Sequence, residues 1–193
     1  MPVNFRLVLR SLLLSPLLVL SAATYPQTLS SDTTAAISFS RSISVPLNSV
    51  KLFDKATDAW NWTFGQEPGA QLLRSERENG ILEGNARVNF RSQMLSNREE
   101  SMGVIQYRII INVKAGECRT TVTELTHHGN YKAPRNGVHL GLLTRSMAPL
   151  QRVPGMSRGN SIRLYTEVKE LATQRVQELM RAFDARLRAG ETP

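Results

Sequence analysis

The stretch GVIQYRIIINVKAGECRTTVTELT, residues 103–126, decides the fold of this chain. Two runs rich in β-branched residues flank Ala115-Gly116, and this arrangement is typical of a hairpin closed by a two-residue turn. Such a turn pairs Lys114 with Glu117 on the outer face. On the inner face it predicts the pairs Val113 with Cys118, Ile111 with Thr120, and Ile109 with Val122.

Cys118 is the only cysteine of the chain, so no disulfide can form within it. The register above places its thiol on the inner face of the hairpin. We therefore expect a buried and inert cysteine; the alternative is an exposed, reactive thiol.

A second hairpin is predicted upstream, between residues 71–78 and 81–90, because Asn79-Gly80 suits a type I′ turn. Pairing outward from a two-residue turn places Leu73 opposite Ala86 and Arg77 opposite Leu82. The same register puts the following residues on the core face: Leu82, Gly84, Ala86, Val88 and Phe90.

An earlier strand is indicated by strict alternation from Ile37 to Val45, where apolar residues on one side alternate with serines on the other. Arg41 is the exception on the apolar side. It is either a functional arginine or an edge-strand side chain that extends to solvent, and the second interpretation is favoured.

Two helices complete the pattern. The first follows Pro46, with Asn48 or Ser49 as its cap. The second covers residues 161–188 and ends before Gly190, a residue that often stops helices. Their apolar stripes comprise Val50, Phe53, Ala56, Ala59, Trp60, Thr63 and Phe64 in the first, and Ile162, Tyr165, Val168, Leu171, Ala172, Val176, Leu179, Met180, Phe183 and Leu187 in the second.

The order β-α-β-β-β-β-α predicts an α+β domain over residues 36–190, in which two helices cover one face of an antiparallel sheet of about five strands. Residues 24–35 are polar and without periodicity, as in a flexible tether. The chain is long enough for one such domain with a core of its own.

The N-terminus reads as a cleavable secretory signal peptide over residues 1–23. Arg6 and Arg10 precede the apolar run of residues 11–20, and small residues end the segment at Ala23. The run is too short to span a membrane, which takes about 20 apolar residues, and no later stretch is apolar enough. The sequence thus predicts a periplasmic or secreted protein without a transmembrane segment after cleavage.

Several of these segments together resemble an exported bacterial family of domains of unknown function with a TBP-like fold. They are Phe39-Ser-Arg-Ser-Ile-Ser-Val-Pro46, the helix with Ala56 and Trp60, Asn79-Gly-Ile-Leu-Glu-Gly-Asn85, and the Tyr107 hairpin ending Leu125-Thr-His127. The resemblance covers residues 37–128 and implies a curved sheet with helices on one face. It brings no activity, substrate or cofactor, and it concerns shape alone, so no DNA binding is expected.

The clearest charge asymmetry lies in residues 129–160, which read as a long irregular connection rich in proline and glycine. No acidic residue occurs between Glu124 and Glu167. Long loops tend to be functional or disordered, and arginine suits the two-point contacts of phosphate or carboxylate. The candidate ligand-binding residues of this loop are Lys132, Arg135, Arg145, Arg152 and Arg158; the alternative is a solvated insertion in which they never converge.

His127 and His128 are further candidates for ligand binding, at the start of the same region. Adjacent residues of a strand point to opposite faces, so one metal ion cannot readily use both, and neither metal nor cofactor is predicted. No Gly-rich phosphate loop is predicted, and no catalytic residue is assigned.

The chain is basic, with a formal net charge of +8, which favours anionic partners such as lipopolysaccharide, phospholipid headgroups or acidic glycans. We therefore expect a non-enzymatic binding module of the bacterial cell envelope, acting through the open sheet face or the basic loop. The alternative is an envelope hydrolase that combines His127 or His128 with a distant acidic partner. A third hypothesis is strand addition at an exposed sheet edge. A pocket with a histidine, a carboxylate and a hydroxyl favours the hydrolase.

Overall fold

The computed structural model describes residues 33–95, 99–133 and 137–189. The predicted signal peptide, most of the predicted tether and Gly190 lie outside these residues. The elements are β1 (Phe39–Ser44), α1 (Ser49–Trp62), β2 (Gln71–Glu76), β3 (Ile81–Arg91), β4 (Met102–Lys114), β5 (Glu117–Gly129), β6 (Gly141–Leu142) and α2 (Arg158–Arg188), with short 3₁₀ turns at Phe64–Gln66 and Glu99–Ser101.

The strands form one antiparallel sheet in the order β1-β5-β4-β3-β2, and β6 extends it by pairing with β5. The β4–β5 hairpin has the register that its two-residue turn predicts, with Val113 opposite Cys118 and Ile109 opposite Val122. Cys118 is 1% exposed, so its predicted burial is confirmed. The predicted α+β class is confirmed as well, with short β6 as an extra strand.

The predicted register of the β2–β3 hairpin is wrong. Leu82 pairs with Ser75, not with Arg77, because the turn comprises the four residues 77–80 and β2 ends at Glu76. Gly80 adopts φ +64° and its carbonyl accepts a 2.7 Å hydrogen bond from Val113 N–H, which fixes the turn against β4. Arg77 is free of the strand and forms an ion pair with Asp54 of α1.

The core face of β3 is as predicted, since Leu82, Ala86 and Phe90 are buried there. Gly84 lies directly beneath Trp60, and a Cβ atom at this position would come within 2.4 Å of the indole ring. The alternation of apolar residues therefore correctly predicts which side chains of β3 face the core, although the longer turn changes which residues of β2 they pair with.

Both helices pack on the same face of the sheet. Asn48 caps α1 by accepting a 2.9 Å hydrogen bond from Lys51 N–H. The helix ends at Trp62, so Phe64, expected within it, lies in the following 3₁₀ turn. There its ring contacts Phe183 of α2, with centroids 5.8 Å apart. Of the expected apolar stripes, Val50 and Leu171 are exposed.

Helix α2 begins at Arg158, three residues before the predicted start, because Ser157 caps it by accepting a hydrogen bond from Asn160 N–H. Farther along the helix, Asp184 is only 6% exposed. Its carboxylate lies 2.6 Å from Nε of Arg41 on β1. The arginine on the apolar side of β1 is thus not simply solvated, because it forms an ion pair with a buried acid.

The connection between β5 and α2 is largely irregular, but it is attached to the rest of the domain at several points. Thr144 N–H donates a 2.7 Å hydrogen bond to the Tyr165 hydroxyl, and Lys169 Nζ donates one of 2.7 Å to Ser146 O. Leu140 and Leu143 are buried against the core. The described part of the loop is therefore anchored to the domain at these positions, while other side chains of the loop are exposed. No helix among the described residues is long and apolar enough to cross a membrane.

Candidate functional site

Four of the five basic residues predicted as ligand-binding are described by the structure, and of these four only Arg152 and Arg158 line a common cavity. Lys132 lies over the ring of its neighbour Tyr131. Arg145 is exposed, and Arg135 lies outside the described residues. Arg152 and Arg158 line the same cavity.

This cavity, of about 480 Å³, lies at the start of α2, between residues 148–153 of the loop and residues 156–162. The first turn of α2 contains no acidic residue. Within the described chain, no carboxylate lies in ion-pair distance of Arg152 or Arg158. The first N–H groups of a helix lack hydrogen-bond partners within the helix and attract anions. The two arginines and the end of the helix therefore both favour an anionic ligand in this cavity.

His127 is a core residue. It is fully buried, its ring packs edge-on against Phe90, and neither ring nitrogen has a hydrogen-bond partner among the described residues. Burial, together with His128 and His139 nearby, lowers the pKa of His127 to about 4, so its ring is neutral at physiological pH. A ligand at the surface has no access to it.

His128 points to the opposite face, as expected for adjacent residues of a strand. Its ring is exposed and lies 6.4 Å from the ring of His139, centroid to centroid. The His139 ring is itself engaged, because its Nδ1 accepts a 3.2 Å hydrogen bond from Gly129 N–H. No group of three or more His, Cys, Asp or Glu residues in the described segments could hold a metal ion.

The sheet face that the helices leave uncovered carries a cleft of about 410 Å³ over β3, β4 and β5. Sequence reasoning named only one of its residues, His128, as a candidate. The cleft is lined mainly by polar side chains: Glu83, Asn85, Gln106, Arg108, Glu124, Thr126 and His128, with Leu73 at its apolar side.

Arg108 lies at the centre of an ion-pair network in this cleft. Its Nη2 and Nε are 2.7 Å and 3.0 Å from Oε1 of Glu83, and its Nη1 is 3.2 Å from Oε1 of Glu124. These hydrogen bonds raise the pKa of the Arg108 guanidinium, which stays charged. The three side chains therefore hold one another in place across adjacent strands.

Two further features mark the cleft. Glu124 adopts φ +58°, a left-handed conformation that costs a residue with a side chain about 1–2 kcal/mol. It lies beside a register shift between Gln106 and Arg108. The side-chain oxygen of Asn85 is buried without a hydrogen-bond partner among the described residues. Strain and unpaired polar atoms of this kind are concentrated at functional sites.

The cleft contains a histidine, carboxylates and a hydroxyl, but they are not connected as a catalytic set. The Thr126 hydroxyl donates to the Glu124 carbonyl oxygen at 3.1 Å, and the Glu124 carboxylate is bound by Arg108. No described residue hydrogen-bonds the His128 ring. Nucleophilic catalysis requires a base within hydrogen-bond distance of the nucleophile.

Two further groups that could act as nucleophiles, Cys118 and Tyr107, are buried. Burial raises the pKa of the Cys118 thiol to about 12, with smaller contributions from Asp184 and Glu117. Burial also raises the pKa of the Tyr107 hydroxyl, which has no hydrogen-bond partner among the described residues. Neither group is available as a nucleophile at physiological pH.

Comparison with solved structures finds similar proteins in two bacteria. A crystal structure of a DUF4468 family protein from Bacteroides ovatus aligns with a TM-score of 0.48 at 13% identity, covering 77% of this chain and 86% of that one. A TBP-like protein from Parabacteroides distasonis gives 0.48 at 7% identity, covering 77% and 93%. No curated protein matches the sequence.

The family model for the domain of unknown function DUF4468, with a TBP-like fold, matches residues 39–128. This range contains β1 through most of β5, together with α1 and every residue of the open-face cleft. The resemblance read from the sequence is confirmed over residues 39–128, where the chain matches the DUF4468 family model.

Proposed function

We propose that this chain is an exported, non-enzymatic binding module of the bacterial cell envelope, which holds an anionic ligand in the cavity at the start of α2. The observation that supports anion binding most directly is the position of Arg152 and Arg158. They line one cavity with the N-terminal end of a 31-residue helix, and no described carboxylate neutralises them.

The chemistry of this cavity suits phosphate or carboxylate groups. Guanidinium groups form charge-assisted hydrogen bonds with such oxyanions, often in pairs. The described part of the loop is fixed by Tyr165, Lys169 and β6, which limits the conformational entropy that binding would cost. The anion is a phospholipid headgroup, a free phosphate or an acidic glycan, and these differ in how the charge is presented.

Binding is tested by titrating the purified chain with inorganic phosphate and with phosphatidylglycerol vesicles; phosphatidylcholine vesicles serve as the uncharged control. The double variant Arg152→Gln/Arg158→Gln should bind at least about tenfold more weakly, because it removes two charge-assisted contacts. The double variant Lys132→Gln/Arg145→Gln removes the same charge elsewhere in the loop and should bind like the unchanged chain.

Equal losses in both double variants would show that net charge alone, without a site, attracts the anion. Absence of binding to phosphate and to both vesicles by the folded chain would contradict the proposed anion site. Phosphate binding without vesicle binding would assign the site to a soluble anion.

Export is supported by the sequence of residues 1–23 alone, with its basic start, apolar run and small residues up to Ala23. It is tested by expressing the full chain in a bacterial host and measuring the mass of the protein recovered from the periplasm and the medium. A product that begins near Thr24 supports export with cleavage. An intact chain confined to the cytoplasm contradicts it.

A hydrolase remains the second candidate, because His128, Glu124 and Thr126 line one cleft. Their hydrogen bonds do not link them, which favours binding. Chromogenic ester, amide and glycoside substrates test the enzyme hypothesis. Turnover that is lost in His128→Gln would establish a hydrolase, and no turnover of these substrates would support the binding module.

A further inference from the structure

We propose that the open-face cleft is a second binding site, separate from the anion cavity, and that it takes a small neutral saccharide. The cleft lies over the centre of the sheet on the face opposite the helices, and it has a volume of about 410 Å³. Pockets for small ligands begin at roughly 300 Å³.

Its charges argue for a neutral ligand. The guanidinium of Arg108 sits between Glu83 and Glu124, at 2.7 Å and 3.2 Å from their carboxylate oxygens. It therefore occupies the place where a cationic ligand would pair with both carboxylates. The same two carboxylates flank the guanidinium and repel an anionic ligand that approaches it.

The remaining polar groups both donate and accept hydrogen bonds. The side-chain amides of Asn85 and Gln106 and the ring of His128 have no hydrogen-bond partners among the described residues, and one carboxylate oxygen of Glu83 and of Glu124 also lacks one. A ligand that satisfies them has to offer donors and acceptors side by side. Hydroxyl groups do this, since each can donate one hydrogen bond and accept others.

The rim adds an apolar contact. Leu73 is 57% exposed beside these polar groups and is the only aliphatic side chain that lines the cleft. The C–H face of a sugar ring can cover such a side chain while its hydroxyls reach the amides. The ion pairs of Arg108 hold the neighbouring side chains in place before binding, which reduces the cost of ordering them.

The experiment records saturation-transfer NMR spectra and calorimetric titrations of the purified chain with glucose, galactose, mannose, N-acetylglucosamine and their common disaccharides. Putrescine and glucuronate represent a cation and an anion. We expect at least one neutral saccharide to bind with a millimolar or lower dissociation constant. Gln106→Ala and Asn85→Ala should each weaken that binding by at least about fivefold, through loss of hydrogen bonds to the ligand.

Asn112→Ala is the matched control, because Asn112 lies on the same strand and the same face as Gln106 but outside the cleft. Gln106 is solvent-exposed, so its variant should fold even if the Asn85 variant does not. The proposal is overturned if no neutral saccharide binds, if only putrescine or glucuronate binds, or if Gln106→Ala and Asn112→Ala bind equally well. Arg152→Gln/Arg158→Gln should retain saccharide binding, which separates this site from the anion cavity.

Discussion

At the scale of single residues, His127 makes the stability of the protein depend on pH. Its ring is fully buried and its pKa is lowered to about 4, mainly by burial. In the unfolded chain the same ring has a pKa of about 6.5. Between these values the unfolded state binds a proton that the folded state does not, so the free energy of unfolding decreases as the pH falls from about 6.5 to about 4.

We therefore expect His127→Leu to remove this part of the pH dependence, which amounts to at most about 3 kcal/mol. The measurement is urea unfolding of both proteins at several pH values from 4 to 7.5. His128→Leu is the control, because His128 is exposed. If both variants lose as much stability with falling pH as the unchanged chain does, His127 is not the source of the pH dependence.

Glu124 provides a second test at this scale, since its φ of +58° suits glycine better than a residue with a Cβ atom. Replacement by Gly or by Ala removes the contact with Arg108 equally. Only Gly also relieves the left-handed strain. We expect Glu124→Gly to be more stable to urea than Glu124→Ala by about 1 kcal/mol.

Thr123 is the matched control for Glu124, because it is the preceding residue of β5 and does not have a positive φ. At position 123 the order of stabilities should be reversed, with Thr123→Ala more stable to urea than Thr123→Gly. If Gly is also the less stable choice at Glu124, the strained conformation of this residue is contradicted.

At the scale of elements, the two hairpins show what the sequence can and cannot predict. The Ala115-Gly116 turn joins two strands in which inward and outward residues alternate right up to the turn. A single register therefore places the inward residues of both strands on the core face. In the other hairpin, β2 is exposed along nearly its whole length and has no apolar face to fix its pairing. The register of this hairpin is instead set by tertiary contacts of Gly80 and Arg77, and such contacts cannot be predicted from the local sequence.

The loop between β3 and β4 is held by one carboxylate of α2. Glu167 accepts hydrogen bonds from Gln93 N–H at 2.5 Å, from Met94 N–H at 3.3 Å and from the Ser92 hydroxyl at 2.6 Å. Ser92 is fully buried, so its hydroxyl would lose this partner without replacement. We expect Glu167→Ala to lower the free energy of unfolding by about 1–3 kcal/mol.

Urea unfolding measures this effect, with Glu170→Ala as the control. Glu170 lies one turn farther along the same helix and is exposed. Its replacement should change stability by no more than about 0.5 kcal/mol. Similar values for the two variants would mean that Glu167 does not anchor the loop.

At the scale of the whole molecule, the fold was predictable and the cleft was not. Apolar periodicity marks every strand and helix that faces the core, so it predicts the layers. The cleft is built from outward positions between residues 73 and 128. Charges in such positions, Glu83 among them, are usually solubilising. Only the strand order and the left-handed Glu124 bring Glu83, Arg108 and Glu124 together, and no spacing in the sequence indicates this.

The last prediction concerns how α2 is fixed to the edge of the sheet. Asp184 of α2 has 9% of its side chain exposed and pairs with Arg41 of β1, whose side chain is 48% exposed. Burial raises the pKa of Asp184, while Arg41 and Arg188 lower it. Arg41→Met leaves a buried carboxylate without its nearest partner. We expect this variant to be less stable at pH 7.5 by about 2 kcal/mol, less than for a fully buried pair because Arg41 is half exposed.

This deficit should shrink as the pH falls. Without Arg41, the pKa of Asp184 in the folded state rises further above its unfolded value of about 3.9, so the folded state takes up a proton first and gains stability with falling pH. Urea unfolding at pH 7.5 and pH 5 tests this. Arg77→Met, which breaks an exposed sheet-to-helix pair with Asp54, should cost no more than about 1 kcal/mol at either pH. An Arg41→Met deficit that is equal at both pH values would show that Asp184 is not the group left unpaired.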